Sequence, residues 1–173
     1  MSNAVEAASP PGKVAGIAIT AIVIVLIVAW IALAIGVLNM TDKTLVGAFM
    51  FLWYWANNEQ LQFSRLVPAM VGALVGIGIA WFLWYGPSEY GGAGLAASLL
   101  LLIAALYLDV VKLLPIAINS STMLFVTLAA APLIQFEVDW LELVKSTVLG
   151  GAFFAAAVWG LQKLAARFAP AAS

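Results

Sequence analysis

The chain has 173 residues, 65 % of them hydrophobic and 9 % charged, with a mean hydropathy of +1.12, and a water-soluble globule of that composition could not cover its own surface. A net charge of −1 without any basic run leaves nothing to bind a phosphate backbone, so no nucleic-acid partner is expected. Cysteine and histidine are both absent, which removes disulfides, thiolate chemistry, haem ligation by histidine, most zinc sites and histidine proton relays. The expected class is an all-α integral membrane protein.

Residues 1–12 (MSNAVEAASPPG) are small and polar and end in Pro10, Pro11 and Gly12, which predicts a flexible cytoplasmic tail ahead of one transmembrane helical domain over 13–173. Val14 to Leu38 is nearly unbroken apolar sequence over 25 residues, longer than the apolar region of a signal peptide, and reads as a retained first helix. After a turn at Asn39, Thr41, Asp42 and Lys43 comes a second segment, Thr44 to Gln60 (TLVGAFMFLWYWANNEQ). Its apolar part, Leu45 to Ala56, is only 12 residues. That is about 18 Å of helix, against a hydrocarbon core of about 30 Å. The hydrogen-bonding side chains of Asn57, Asn58, Glu59 and Gln60 then sit where lipid cannot satisfy them, unless the bilayer thins and the run lies among headgroups.

A third helix is predicted from about Leu66 to Tyr85, with Pro68 in its first turns, and the run GPSEYGG (86–92) predicts a loop. A fourth runs from Gly94 to about Leu108, followed by Asp109 and Lys112, whose i,i+3 spacing predicts an ion pair. Ile118 to Thr122 (INSST) is a polar break before a short fifth segment, Met123 to Ile134. Gln135, Glu137, Asp139 and Glu142 form an acidic loop around Trp140, and a sixth helix covers about Val144 to Leu161.

Threading six crossings puts Lys13, Arg65, Lys112, Lys163 and Arg167 on one side and Lys43 and Lys145 on the other, which predicts both termini in the cytoplasm. The six segments also fall into two threes, over about 13–86 and 92–168, each with a short middle member. Shifting the sequence by 78 positions superposes Ala15 on Ala93, Thr44 on Thr122, Glu59 on Glu137, Gly72 on Gly150, Trp81 on Trp159 and Leu83 on Leu161. Three being odd, this predicts two inverted three-helix repeats with segments two and five short, an arrangement common in transporters and channels.

Every charge falls at a segment end, which argues against proton or sodium coupling; Glu59 comes nearest to an exception, as an interfacial carboxylate beside Arg65 or a group in a cavity. Gly72, Gly76 and Gly78, with Gly150 and Gly151 as their counterparts, predict close helix packing, either inside the subunit or between protomers. Asn119, Ser120 and Thr122 either handle a neutral polar solute or simply cap a helix. With no phosphate loop, no nucleophile set and no metal cluster, neither an enzyme nor a cofactor is expected.

The short second segment, the run LLPIAINSSTML (113–124) and the run DWLELVKSTVLGGAFFAAAVWG (139–160) resemble the YcdZ-like family of small bacterial inner-membrane proteins of unknown function. That resemblance implies a compact helical bundle in the bacterial plasma membrane and carries no catalytic residues. In size and helix count the chain is also similar to bacterial urea and amide channels. The sequence points to a homo-oligomeric channel or facilitator for a small uncharged or weakly polar solute, with Asn57, Asn58, Glu59, Asn119, Ser120 and Thr122 on the pathway. The alternative is a non-transporting accessory or assembly subunit packed among other membrane subunits, and a coupled transporter is a third reading.

Overall fold

A computed structural model describes residues 12–168, so the expected tail over 1–12 lies, but for Gly12, outside the described residues. Helix α1 (Lys13–Gly36) is a run of Ile, Val, Leu and Ala, and the N–H groups of Val37 and Leu38 both close on the Leu33 carbonyl where it ends. A 3₁₀ turn (Asp42–Leu45) leads into α2 (Val46–Asn57), after which Gln60 and Leu61 both take left-handed backbone (φ 50° and 57°) and reverse the chain. The 49-residue α3 (Phe63–Val111) is broken once, at Gly91 (φ 54°, ψ −132°). Helices α4 (Ser120–Ala129), α5 (Pro132–Gln135) and α6 (Trp140–Phe168) complete the chain.

Gly91 turns α3 into a hairpin. Its two arms, 63–90 and 92–111, lie back to back, with the Ser98 hydroxyl donating to the Phe82 carbonyl at 3.1 Å. Below the apex the arms approach too closely for a side chain, because a Cβ on Gly86 would stand 2.6 Å from Ser98 Oγ and 3.1 Å from the Gly94 carbonyl. A residue with a Cβ would be strained at the φ and ψ of Gly91, which are open essentially only to glycine.

The expectation of six membrane segments in two inverted triplets does not fit this fold. Three helices are long and apolar enough to cross a bilayer: Gly16–Gly36, Phe63–Val111 and Trp140–Arg167. Helix α2 has 12 residues and α4 has 10; at 1.5 Å per residue they reach about 18 and 15 Å. The predicted loop over 86–92 is helical up to Tyr90 and again from Gly92, so the third and fourth expected segments are arms of one element. The fifth divides: Pro132 pushes Ala131 into extended backbone (ψ 135°), and α4 stops at Ala129.

The closest pairings are α3 with α4 and α2 with α6. The main core joins Phe51, Tyr54 and Trp55 of α2 to Ala73, Ile77 and Ala80 of α3, Phe125 of α4 and Leu143 of α6. A second cluster, around Trp30, Ala34, Ala48 and Phe154, ties α1 to that body. Glycines set these approaches. A Cβ on Gly76 would stand 2.6 Å from the Thr122 carbonyl and 2.7 Å from Phe125 Cβ, and Gly72 faces Asn119 as closely. Gly150 lies against Ala48 and Trp30, and Gly151 against Met70 and Phe51, whereas a Cβ on Gly78 would meet nothing within 4 Å.

Helix α6 runs antiparallel to α1, since Trp30 packs on Gly150 and Phe154 while Thr41 reaches Glu142. Lys13, Arg65, Lys163 and Arg167 therefore share one end of the bundle with the polar stretch that follows α2. The acidic stretch before α6 lies at the other. There Glu142 accepts from the Thr41 hydroxyl (2.8 Å) and N–H (3.2 Å), and Lys43 pairs with Glu137.

Candidate functional site

The short helices α2 and α4 bring most of the predicted site residues to the basic end of the bundle. Helix α2 ends at Asn57, and just beyond it Glu59 accepts from the Tyr54 hydroxyl at 2.8 Å before the left-handed pair Gln60 and Leu61 turns the chain toward α3. The other Glu59 oxygen lies 3.8 Å from Arg65 Nε, and the Trp55 indole N–H donates to the Gln62 carbonyl at 3.0 Å. Glu59 is thus a partly exposed carboxylate held by Tyr54 and paired with Arg65.

Helix α4 starts beside Gly72, nine residues along α3, or about 13 Å from its first turn. A helix start at that depth must satisfy its own free N–H groups. Asn119 does so. Its Oδ1 accepts from the N–H groups of Ser121 (2.9 Å) and Thr122 (3.3 Å), and the Thr122 hydroxyl accepts from the Asn119 N–H (3.1 Å), closing a capping box. Its Nδ2 donates to the carbonyls of Pro68 (3.0 Å), Pro115 (3.1 Å) and Ile116 (3.2 Å), so the cap also fastens α4 to α3. Ser121, fully buried, donates to the Ala69 carbonyl at 2.8 Å, and the Thr122 hydroxyl donates to Ala117. Asn119 and Thr122 are therefore committed to holding α4 in place.

Asn58 and Ser120 are placed differently. Together with Trp53, Tyr54, Met123, Leu124 and Thr127 they line a cavity of ≈ 370 Å³ between the end of α2 and the first turns of α4. Among the described residues the Asn58 carboxamide has no hydrogen-bond partner. Thr127 donates to the Met123 carbonyl at 2.8 Å and keeps its oxygen lone pairs. The lining combines two aromatic walls and a thioether with a carboxamide and three hydroxyl groups. Such a set can strip water from a small neutral polar molecule and replace part of its hydration.

Asn57 is not part of this cavity. Its Nδ2 donates back to the Trp53 carbonyl at 2.8 Å, and it lines a second groove that meets the first at Trp53. Trp53 and Tyr54 also line the cavity, and sequence reasoning left both out of the candidate site. The available signal was position: both lie about one helical turn before the polar run. Comparison with protein-family models, with curated proteins and with solved structures returned no match.

Proposed function

We propose that this protein is a membrane channel or facilitator for a small uncharged or weakly polar solute, with the cavity between α2 and α4 as its solute site. One observation carries the reading: Asn58, Ser120, Tyr54 and Thr127 converge on a cavity formed where two helices too short to cross a bilayer end and begin. The Asn58 carboxamide is exposed and has no partner among the described residues, so it is open to a solute. The basic end takes the cytoplasmic side of a bacterial plasma membrane by the excess of Lys and Arg there, which places both termini inside. That location is also what the YcdZ-like resemblance implies. A homo-oligomer is the working assembly, and the proposal makes no use of the two-triplet scheme.

Flux of water, glycerol, urea and short amides into proteoliposomes tests it. Transport above empty vesicles that falls in Asn58→Leu and Ser120→Ala supports the reading; no flux for any of these solutes overturns it.

The internal satisfaction of Asn119, Ser121 and Thr122 favours a second reading, a non-transporting accessory subunit, because those groups offer a solute nothing. Purification in mild detergent separates the two. A lone symmetric oligomer fits a channel, whereas stoichiometric foreign subunits fit an accessory role.

A further inference from the structure

Two of the hydroxyl groups that line the cavity between α2 and α4 have already given their protons away. Glu59 is not in the lining, yet one of its oxygens accepts from the Tyr54 hydroxyl at 2.8 Å while the other lies 3.8 Å from Arg65 Nε. A carboxylate has only lone pairs to offer, so the Tyr54 proton is committed to it. What the phenolic oxygen keeps is its capacity to accept, with the Ser120 side chain beside it in the lining. Thr127 is set the same way, since its proton goes to the Met123 carbonyl at 2.8 Å and its lone pairs remain.

Facing these acceptors is a free amide. The Asn58 carboxamide, exposed and without a partner among the described residues, has N–H groups to give a solute carbonyl. No charged side chain lines the cavity, so a charged solute finds no counter-charge there. A neutral solute that carries both a carbonyl and N–H groups satisfies both halves of the site. One whose nitrogen is fully alkylated takes water from the Tyr54 and Thr127 oxygens and gives them nothing in return, and a site built to receive a donor rejects a ligand that lacks one.

We propose that Glu59 is a positioning residue that fixes the donor and acceptor pattern of the solute site by taking the Tyr54 proton, and that the site therefore selects primary amides over N-alkylated ones. The proposal rests on the reading of this cavity as a solute site and names the class of solute it takes. Glu59 acts through Tyr54 and does not touch the solute.

Propanamide, N-methylacetamide and N,N-dimethylformamide are isomers that carry two, one and no N–H groups. Their binding to the full chain in detergent micelles, read by saturation-transfer NMR against empty micelles, tests the proposal. Affinity should fall along that series, with propanamide about tenfold or more above N,N-dimethylformamide. In Glu59→Leu the Tyr54 proton is released toward the cavity, so N,N-dimethylformamide should gain affinity and the order should flatten. Glu59→Gln keeps an oxygen to receive that proton and should keep the order, although it loses the ion pair with Arg65. Equal binding of the isomers by the wild type, binding of none of them, or a parallel weakening of all of them in Glu59→Leu overturns the proposal. Should Glu59→Leu fail to fold, Tyr54→Phe removes the same oxygen and must flatten the order. Because the readout is binding, the ordered series without solute flux would sink the transport reading alone, and flux without the order would sink this proposal alone.

Discussion

Removing the Asn119 side chain measures how firmly α4 is set into the bundle. Asn119→Ala deletes an N-cap, which costs about 1 kcal/mol and up to 2. It also deletes the bond to the Pro68 carbonyl, a net loss of about 1 kcal/mol. The expected destabilisation is therefore about 2 to 3 kcal/mol, or roughly 30- to 150-fold in the folding equilibrium. Asn119→Ser keeps an oxygen to cap Ser121 and Thr122 but has no arm to reach Pro68, and should lose only about 1 kcal/mol. Gly72 supplies an internal control, because a Cβ there collides with the Asn119 carboxamide. Gly72→Ala should destabilise the wild type and be much milder beside Asn119→Ala, giving a coupling energy of about 1 kcal/mol or more in a double-mutant cycle. Equilibrium unfolding in mixed micelles supplies all four values. A loss below about 0.5 kcal/mol for Asn119→Ala, or strict additivity with Gly72→Ala, would refute the reasoning.

Gly76→Ala should cost about 1 to 3 kcal/mol because its new methyl meets the Thr122 carbonyl and Phe125, whereas Gly78→Ala meets nothing and should be neutral or stabilising by up to about 1 kcal/mol; thermal denaturation in detergent separates them. Gly91→Ala should destabilise the α3 hairpin by about 1 to 3 kcal/mol through backbone strain alone, and a wild-type melting temperature in that variant would count against the assigned φ and ψ. At the acidic end, the hydrogen bond from Lys43 and its charge hold the Glu137 carboxyl below its ordinary value, and the same bond and charge raise Lys43. The Glu137 share of this stability is present above the ordinary carboxylate pKa and is lost as pH falls through the lowered one. The Lys43 share is present below the ordinary lysine pKa and is lost as pH rises through the raised one. The stability difference between wild type and Lys43→Met should thus be level near neutrality and shrink at both extremes. A difference independent of pH would remove the pair as its source.

Much of the local structure follows from the sequence. The apolar run after Lys13 is α1 to within two residues, and Asp109 pairs with Lys112 at 2.8 Å as their spacing predicts. Asn119 as a helix cap was one of two readings of the INSST run, and its geometry here is that of a cap. The run GPSEYGG misled because glycine and proline mark loops in water, whereas here the helical backbone runs up to Tyr90 and resumes at Gly92, which concentrates the reversal in Gly91. The contact of Tyr54 with Glu59 was illegible because i and i+5 do not meet on a continuous helix. Helix α2 ends at Asn57, two residues short of Glu59, and that end makes the contact possible; the left-handed Gln60 and Leu61, neither of which advertises that conformation, then reverse the chain toward α3. The separate fates of Asn57 and Asn58, adjacent in sequence but lining two grooves that meet at Trp53, depend on where the helix ends, which pattern alone places poorly.

The joint at Gly91 bears on how the chain enters its membrane. An unbroken helix of 49 residues would measure about 74 Å, more than twice the height of the hydrocarbon layer, and could not be accommodated upright. With the joint, the two arms are seated against each other along Ser98 and Gly86, and insertion has to deliver them as a pair. Glu89 is the single carboxylate of the apex, so the cost of bringing the paired arms into a bilayer turns on one acid.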